Sequence, residues 1–421
     1  MNLDPAQLPS HCDVLVVGAG PAGSAAAQLL ARAGRDVVLV DQHAFPRDKV
    51  CGDGLIPDAH RALARLGVLA AVMAEARSSP TLTCIAPRGG RIDVPGSLAV
   101  LPRKRLDDIV CRAGVAAGAR MFAPVRFVAP LREGGQGGDS GRVVGALLKH
   151  GDTTCEVRAP WLVLASGAHP QATLAAGMCD RRTPSGIALR GYIRNAAMSA
   201  RITSLEVVWH KRLSPGYGWI FPCGGDVFNL GVGVAQSERE GGTSRGRHKV
   251  KHVNLREVFA AFKDLYAPAR ELVEGGQWQA EAGEELKGAP LRCSLEGARL
   301  EAPGVLVTGE AAGSTYAFTG EGIGKAMELG IHAAEAILAS ADDAVVRADY
   351  AARVLALKPR FDMYEQANRA NAHPWLIDLL VWSAKRSPRR VQRMAGVLEE
   401  THIPTDAVTV RGVLRRIFDR R

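Results

Sequence analysis

The segment Gly18-Ala-Gly20-Pro-Ala-Gly23 constrains this chain more than any other. It lies between an apolar run, Asp13 to Val17, and a segment that reads as a helix from Pro21 to Ala33, stopped by Gly34. A second apolar run follows from Asp36 to Val40. Strand, glycine turn, helix and strand make a βαβ unit, and such a unit requires a parallel sheet. Each glycine has its own task. Gly18 permits the tight turn, Gly20 lets the backbone approach a pyrophosphate, and Gly23 lets helix and strand pack closely. The helix start, with Ala22 in its first turn, offers free amide donors and a dipole that favours an anion. Asp41, at the end of the second strand with Gln42 beside it, is placed to accept hydrogen bonds from a ribose.

Later segments extend the same pattern. Trp161 to Ala165 and Val305 to Thr308 read as buried strands, and a helix is expected from about Gly322 to Ser340. Leu55 to Leu66 reads as another helix. Val125 to Leu131 and Val143 to His150 read as strands joined by the glycine-rich stretch Glu133 to Gly141. No helix follows that stretch, so it is a solvated turn rather than a phosphate loop. From about Met178 to Pro290 the pattern changes. Gly191 to Arg194, Ser204 to His210 and Val227 to Val234 alternate, which predicts an antiparallel sheet and a second domain, with the basic insert Glu238 to His252 as a loop. Because Val305 to Thr308 resumes the first pattern, the first domain is expected to be discontinuous.

Three further segments resemble the flavoprotein family of aromatic hydroxylases, flavin-dependent halogenases and geranylgeranyl reductases. Arg103-Lys-Arg-Leu-Asp107 is similar to that family's RxxFD element, in which the arginine reaches the flavin's linker. Gly309-Glu310-Ala-Ala-Gly313 is similar to its GDAAG segment, with Glu310 in place of Asp, and implies an approach to the ribityl chain and pyrophosphate. Thr319-Gly320-Glu-Gly322-Ile323 resembles the turn whose amides cradle the flavin ring edge. A glycine-rich turn opening a helix supplies donors that stabilise negative charge on a reduced flavin. The resemblance therefore implies FAD as cofactor.

Two segments narrow the resemblance to the geranylgeranyl reductase branch: Lys49-Val-Cys51-Gly52-Asp-Gly54 and Gly216-Tyr217-Gly-Trp219-Ile-Phe221-Pro222. In that branch the first lies by the reactive ring and the second lines a prenyl cavity. Saturating an unactivated double bond needs a hydride on one side, a proton on the other, and a dry apolar slot. Tyr217, Trp219 and Phe221 would wall the slot as substrate residues, with Tyr217 and Trp219 also near the chemistry. Cys51 or a water it holds would relay the proton, and Cys51 and Gly52 would also touch the cofactor. The period-2 spacing of the aromatics fits a half-buried strand equally well, and Cys51 fits a buried apolar thiol.

The chain departs from the family pattern at Ser166-Gly167, where an Asp-Gly pair is usual, and at Ala317, where Pro is usual. The missing Asp bears on use of a nicotinamide, so the electron donor is left among NADPH, a ferredoxin and a separate reductase. The implied architecture is α/β. A Rossmann-like FAD-binding domain occupies 1–77, 101–172 and 296–345. A substrate domain occupies 78–100 and 173–295, and a helical C-terminal region occupies 346–421.

Composition enters where partners are concerned. The eight cysteines are scattered without a CxxC pair, against both a disulfide framework and a metal site, and none of the latter is expected. Met1 to His11 lacks the basic and apolar regions of a secretory signal, and no run reaches the ~18 apolar residues of a spanning helix. A cytoplasmic protein with reduced thiols follows. The net charge is +10, of which +6 lies between Lys385 and Arg421. Pro374 to Lys385 reads as a helix there, and Ser387-Pro388 starts another. Val410, Val413, Leu414, Ile417 and Phe418 make one apolar face beside Arg411 and Arg415. Such a helix suits peripheral contact with an anionic membrane, or docking on the protein with its basic face in water. Nucleic acid is not expected, because no recognition motif accompanies the charge.

The expected activity is reduction of carbon–carbon double bonds in a polyprenyl, geranylgeranyl-type chain by hydride from reduced flavin. The rival on the same scaffold is a monooxygenase or halogenase with an aromatic, carrier-bound substrate. Its halogenase form resembles Gly216 to Pro222 less well. A non-catalytic FAD- or prenyl-binding escort is the third reading, disfavoured because an escort need not keep Gly20, Asp41 and Thr319 to Ile323.

Overall fold

Four consecutive aliphatic residues, Val14–Val17, form a strand buried on both faces, which is what a central parallel strand covered by a layer on each side requires. The computed structural model describes residues 2–134, 141–235, 253–280 and 283–401. In it Val14–Val17 pairs in parallel with Val37–Val40 on one side and Trp161–Leu164 on the other. Arg120–Phe122 continues the sheet beyond Val37–Val40, and Val305–Val307 continues it beyond Trp161–Leu164. An antiparallel edge strand, Glu301–Ala302, completes six. Strands distant in sequence thus close one sheet, as the return of the pattern at Val305 implied.

Helix Pro21–Arg32 packs against helix Ile323–Ala339 on this sheet, so closely that a Cβ on Gly330 would collide with the Ala22 carbonyl. A three-stranded antiparallel sheet, Arg126–Glu133, Arg142–His150 and Thr153–Arg158, flanks the first. The glycine-rich turn between its first two strands lies largely outside the described residues.

The third sheet has nine strands. Its path runs Gln277–Trp278, Gly186–Arg194, Val227–Ala235, Gly216–Gly224, Leu205–Val208, Arg77–Ile85, Arg91–Val100 and Gly54–Leu55, with Lys287–Leu291 pairing Gly186–Arg194 off that path. All pairings are antiparallel except Leu205–Val208 with Arg77–Ile85. That parallel pair joins segments more than a hundred residues apart, so no local alternation could reveal it. One face, carrying Ile220, Leu230 and Val232, is covered by Phe259 and Phe262 of helix Leu255–Leu265. The opposite face carries Val207, Trp209, Tyr217 and Phe221 and packs against Leu376, Ile377, Val381 and Leu398 of the C-terminal helices Trp375–Ala384 and Pro388–Leu398.

Some boundaries shift from the sequence reading for local reasons. The helix expected from Leu55 begins at Pro57, and Gly54–Leu55 pairs as a short strand. Proline at the first helical turn needs no amide bond and has its φ preset. A 25-residue helix, Asp343–Ala367, spans a stretch with Pro359 in its interior, a residue that would break it in a reading from local signals. The basic insert and the apolar face of Val410 to Phe418 lie outside the described residues. Among the described residues no helix is long and apolar enough to cross a membrane, and no group of acidic, His and Cys side chains could hold a metal ion.

Candidate active site

The glycine loop is shaped by collisions that only glycine avoids. Gly18 has φ +100°, and a Cβ there would strike the Ala165 carbonyl oxygen of the neighbouring strand. On Gly23 it would strike the Gly18 carbonyl. Gly20 differs: the nearest atom to an added Cβ is Nη2 of Arg47 at 3.5 Å, so the space above it is open. Gly20 caps helix Pro21–Arg32 without any side-chain bond, and its first amides face that space. A diphosphate fits this cradle. Ser166 ends the adjacent strand region, and its buried Oγ has no hydrogen-bond partner among the described residues.

Asp41 is buried and already engaged: Ala19 donates its amide to Oδ2 at 2.9 Å, and His43 donates to Oδ1 at 2.9 Å. Its carboxylate therefore ties the second strand to the glycine loop, with one lone pair on each oxygen left for a ribose. Gln42 is exposed beside it. Arg103 opens helix Arg103–Ala116 and grips Asp107 one turn later through Nε at 2.7 Å and Nη2 at 2.8 Å. Arg47, which sequence motifs did not mark, joins Asp107 at 3.0 Å and approaches Asp41 at 3.5 Å. Two cations and two carboxylates thus alternate along the lip of the loop.

Gly309 has φ +65° and packs on Ala22, where its Cβ would come within 2.6 Å. Glu310 lies 3.8 Å from Lys49 Nζ. At the next turn Gly320, φ +72°, runs under Tyr217, whose hydroxyl donates to the Thr319 carbonyl. Gly322 caps helix Ile323–Ala339, again with no side-chain bond, and its Cβ would come within 2.6 Å of Thr315 Oγ1. The Ile323 side chain is buried in the core with Leu55 and Met327. Two helix starts without side-chain caps and three glycines of positive φ therefore frame one elongated cradle, which suits a dinucleotide whose far end is a flat ring.

At that far end the strand Gly216–Gly224 aims Tyr217, Trp219 and Phe221 to one side in a row, with ring centroids 6.3 and 6.4 Å apart. Trp209 and Phe318 extend the row beyond Tyr217. Trp219 lies across Gly231, where any Cβ would collide with its indole. Phe221 covers Gly52 and Gly54, at 3.2 and 3.5 Å from their Cβ positions. The Cys51 segment and the aromatic strand, far apart in sequence, are thereby in direct contact.

Holding them together is a hub that sequence reasoning missed. Asp53 is fully buried with φ +66°. Its carboxylate accepts from the Arg103 amide at 3.2 Å, from the Tyr192 hydroxyl, and from Asn229 Nδ2 at 2.7 Å. Asn229 Nδ2 also donates to the Cys51 carbonyl at 2.8 Å, and Trp219 Nε1 donates to Asn229 Oδ1 at 2.9 Å. Burial pushes the Asp53 carboxyl up to about 6 despite nearby Arg190, Tyr192 and Asn229. Arg190 is paired with Asp48, which also meets Lys287 at 3.1 Å. Burial raises the Asp48 carboxyl, but Arg190 and Lys287 outweigh it and hold it below its ordinary value. Burial pushes the Cys51 thiol up, with Arg103 working against it, so the sulfur keeps its proton at neutral pH. The cue was available in part: an Asn inside an apolar strand, Val227–Ala235, needs a buried partner. Which partner it takes is decided only by the fold.

Comparison with known proteins identifies the family. The family described as FAD binding domain matches residues 11–238. A menaquinone reductase of Mycolicibacterium smegmatis is 34% identical over 77% of this chain and 76% of its own. Digeranylgeranylglycerophospholipid reductase 1 of Methanopyrus kandleri is 30% identical over 77% of this chain and 79% of its own. A geranylgeranyl bacteriochlorophyll reductase-like protein of Thermoplasma acidophilum superposes with a TM-score of 0.70 at 20% identity, over 97% of this chain and 96% of that one, and so shares the fold. The chain belongs to the FAD-binding-domain family, in its geranylgeranyl reductase branch, and is an FAD-dependent oxidoreductase.

Proposed function

We propose that the protein reduces carbon–carbon double bonds of a polyprenyl chain carried by a lipid or quinone. The observation that carries this reading is the aromatic row Phe318–Trp209–Tyr217–Trp219–Phe221, which runs from the ring-edge turn to the Cys51 segment and is roofed by aliphatic helices. The names of the two relatives, a menaquinone reductase and a digeranylgeranylglycerophospholipid reductase, support it.

Bound FAD, once reduced, supplies the hydride. The chain's own residues do the rest. Gly18 to Gly23 and the first turn of helix Pro21–Arg32 hold the diphosphate, with Asp41 and Arg103 at its lip. The turn Thr319 to Ile323 and Gly309 hold the middle and the ring edge. Tyr217, Trp219 and Phe221 exclude water and align the prenyl chain, which matters because an alkene offers no polar handle. The Cys51 Sγ holds a proton and delivers it to the carbon opposite the one that takes the hydride, directly or through one water. Asp53 and Asn229 fix the Cys51 backbone.

The electron donor is read as a ferredoxin or a separate reductase, with direct NADPH use the alternative, because Ser166-Gly167 stands where the family usually has Asp-Gly. Stopped-flow reduction by NADPH alone at a rate matching turnover would reverse that reading. For the reaction itself, the protein is reduced anaerobically and mixed with geranylgeranyl diphosphate or with air. Flavin reoxidation by the lipid without oxygen is the expected result. Reoxidation only by air, through a hydroperoxide-like spectrum, would make it a monooxygenase instead. Cys51→Ala should slow the anaerobic step by about 100-fold, and an unchanged rate removes the thiol from the mechanism.

A further inference from the structure

Helix Trp375–Ala384 has two faces with opposite fates. Leu376, Ile377, Val381 and Ala384 enter the cluster that closes over Tyr217, Phe221 and Phe318. Trp375 and Trp382 point the other way and are 51% and 46% exposed. Seven residues bring a helix back to nearly the same azimuth, so the two indoles share one face about 10 Å apart. Exposed apolar side chains gathered on one face, unlike ones scattered singly, mark an interaction surface.

The chain that follows the two indoles is basic. Lys385, Arg386, Arg389, Arg390 and Arg393 follow, and no acid lies between Asp378 and Glu399. Asp378 is engaged with Arg88, whose amide it accepts at 3.0 Å. Arg386 stacks over the Trp382 ring at 3.7 Å, and Lys385, Arg389 and Arg393 are exposed. Exposed tryptophans followed by exposed cations match the interface of an anionic bilayer: indoles sit at the headgroup level while Lys and Arg meet the phosphates.

We propose that the face formed by Trp375, Trp382, Arg386, Arg389 and Arg393 docks the protein on an anionic lipid surface. The same helix would then separate bilayer from slot by a single layer. Trp209 Nε1 donates to Asn371 Oδ1 at 2.8 Å and Asn371 Nδ2 donates to the Phe318 carbonyl at 3.0 Å, so the roof is tied to the aromatic row at the helix's own entrance. A prenyl substrate taken from the membrane would meet this roof first, a consequence that rests on the function proposed above.

Flotation of the full chain with vesicles tests the docking without using activity. Wild type should float with vesicles of phosphatidylglycerol mixed into phosphatidylcholine and not with phosphatidylcholine alone. Trp375→Ser with Trp382→Ser, and separately Arg386→Glu with Arg389→Glu and Arg393→Glu, should each lower recovery about tenfold. Flavin content and anaerobic reoxidation by detergent-dispersed geranylgeranyl diphosphate should stay at wild-type levels in both variants. Failure of wild type to float, or flotation of both variants at wild-type recovery, would overturn the docking. So would a tryptophan variant that floats normally but loses self-association in sedimentation, since the face would then meet a second copy. Should wild type float but never be reoxidised by the lipid, the function is lost and the docking stands.

Discussion

The two ends of the flavin cradle are built on different principles. At the glycine-loop end, the backbone amides proposed as donors belong to one contiguous segment, Gly18 to Gly23, and the nearby carboxylates have charged or amide partners at 2.7 to 3.5 Å. At the ring end the key groups come from four separate strands and turns: Cys51 and Asp53, Tyr192, Trp219 and Asn229. There burial weakens the acidity of the carboxylate, even though Arg190 and the neutral donors around it work the other way. The lesson is that local geometry can bind a charge, whereas setting a proton's position demands side chains gathered by the tertiary fold.

The sharpest way to break the first end is Gly23→Ala. Its methyl would collide with the Gly18 carbonyl, and neither backbone can retreat without moving helix from strand. Flavin retention should fall at least about 100-fold, read from bound-flavin absorbance after gel filtration. Retention at wild-type level would show that the loop is slack.

Next is Asp53→Ala at the ring end. It strands the Tyr192 hydroxyl and an Asn229 donor in the core, and should destabilise the fold by about 2–4 kcal/mol in chemical denaturation. Acidity gives the same residue a second signature. Its carboxyl titrates at about 6 in the fold against an ordinary 3.8, so between these values the folded chain binds more protons than the unfolded one. The Asp53 contribution to stability is therefore full below pH 4 and is lost as pH rises through 6, by about 3 kcal/mol. Asp53→Asn should flatten that part of the stability–pH curve relative to wild type. Parallel curves would mean that the carboxyl titrates normally.

A smaller effect is expected for Tyr217→Phe. It removes the hydroxyl that donates to the Thr319 carbonyl but keeps the ring in its row. Turnover should fall about fivefold, consistent with one lost hydrogen bond of ~1 kcal/mol, while thermal stability hardly moves. A collapse of flavin binding instead would place this bond at the cradle's foundation. The smallest change is Ser166→Ala. The Oγ has no partner among the described residues, so stability of the flavin-free protein should be unchanged, while flavin affinity should drop by about threefold through loss of one hydrogen bond to the cofactor. Equal affinity would remove Ser166 from the site.

These outcomes also measure how far the sequence could be read. The βαβ opening was legible because a glycine turn between two aliphatic runs leaves few alternatives, and its collisions at Gly18 and Gly23 have the physical origin assigned to them. The aromatic triplet was legible as one strand face. Its contact with Gly52 and Gly54 was not, because nothing near residue 219 in the chain names residue 52. Arg47 and Asn229 escaped for the same reason: each is an unremarkable polar residue until a distant carboxylate or carbonyl is placed beside it. The region from 346 on was legible as helical, but not that one helix, Asp343–Ala367, runs through Pro359, whose local cost is met by packing of Tyr350, Val354 and Phe361 in the core.

The sequence by itself determined the parallel sheet and the glycine loop, since those depend on residues within a few turns of one another and on the absence of Cβ atoms, while the kind of cofactor came from the resemblance of three further segments to a flavoprotein family. Only the tertiary structure decided the ring end. Strands more than a hundred residues apart must pair before Asp53 meets Asn229, before Trp219 crosses Gly231, and before the C-terminal helices close over the aromatic row. Hydrogen bonds of buried polar groups have to be satisfied by whatever the fold brings near, and that requirement is written in three dimensions.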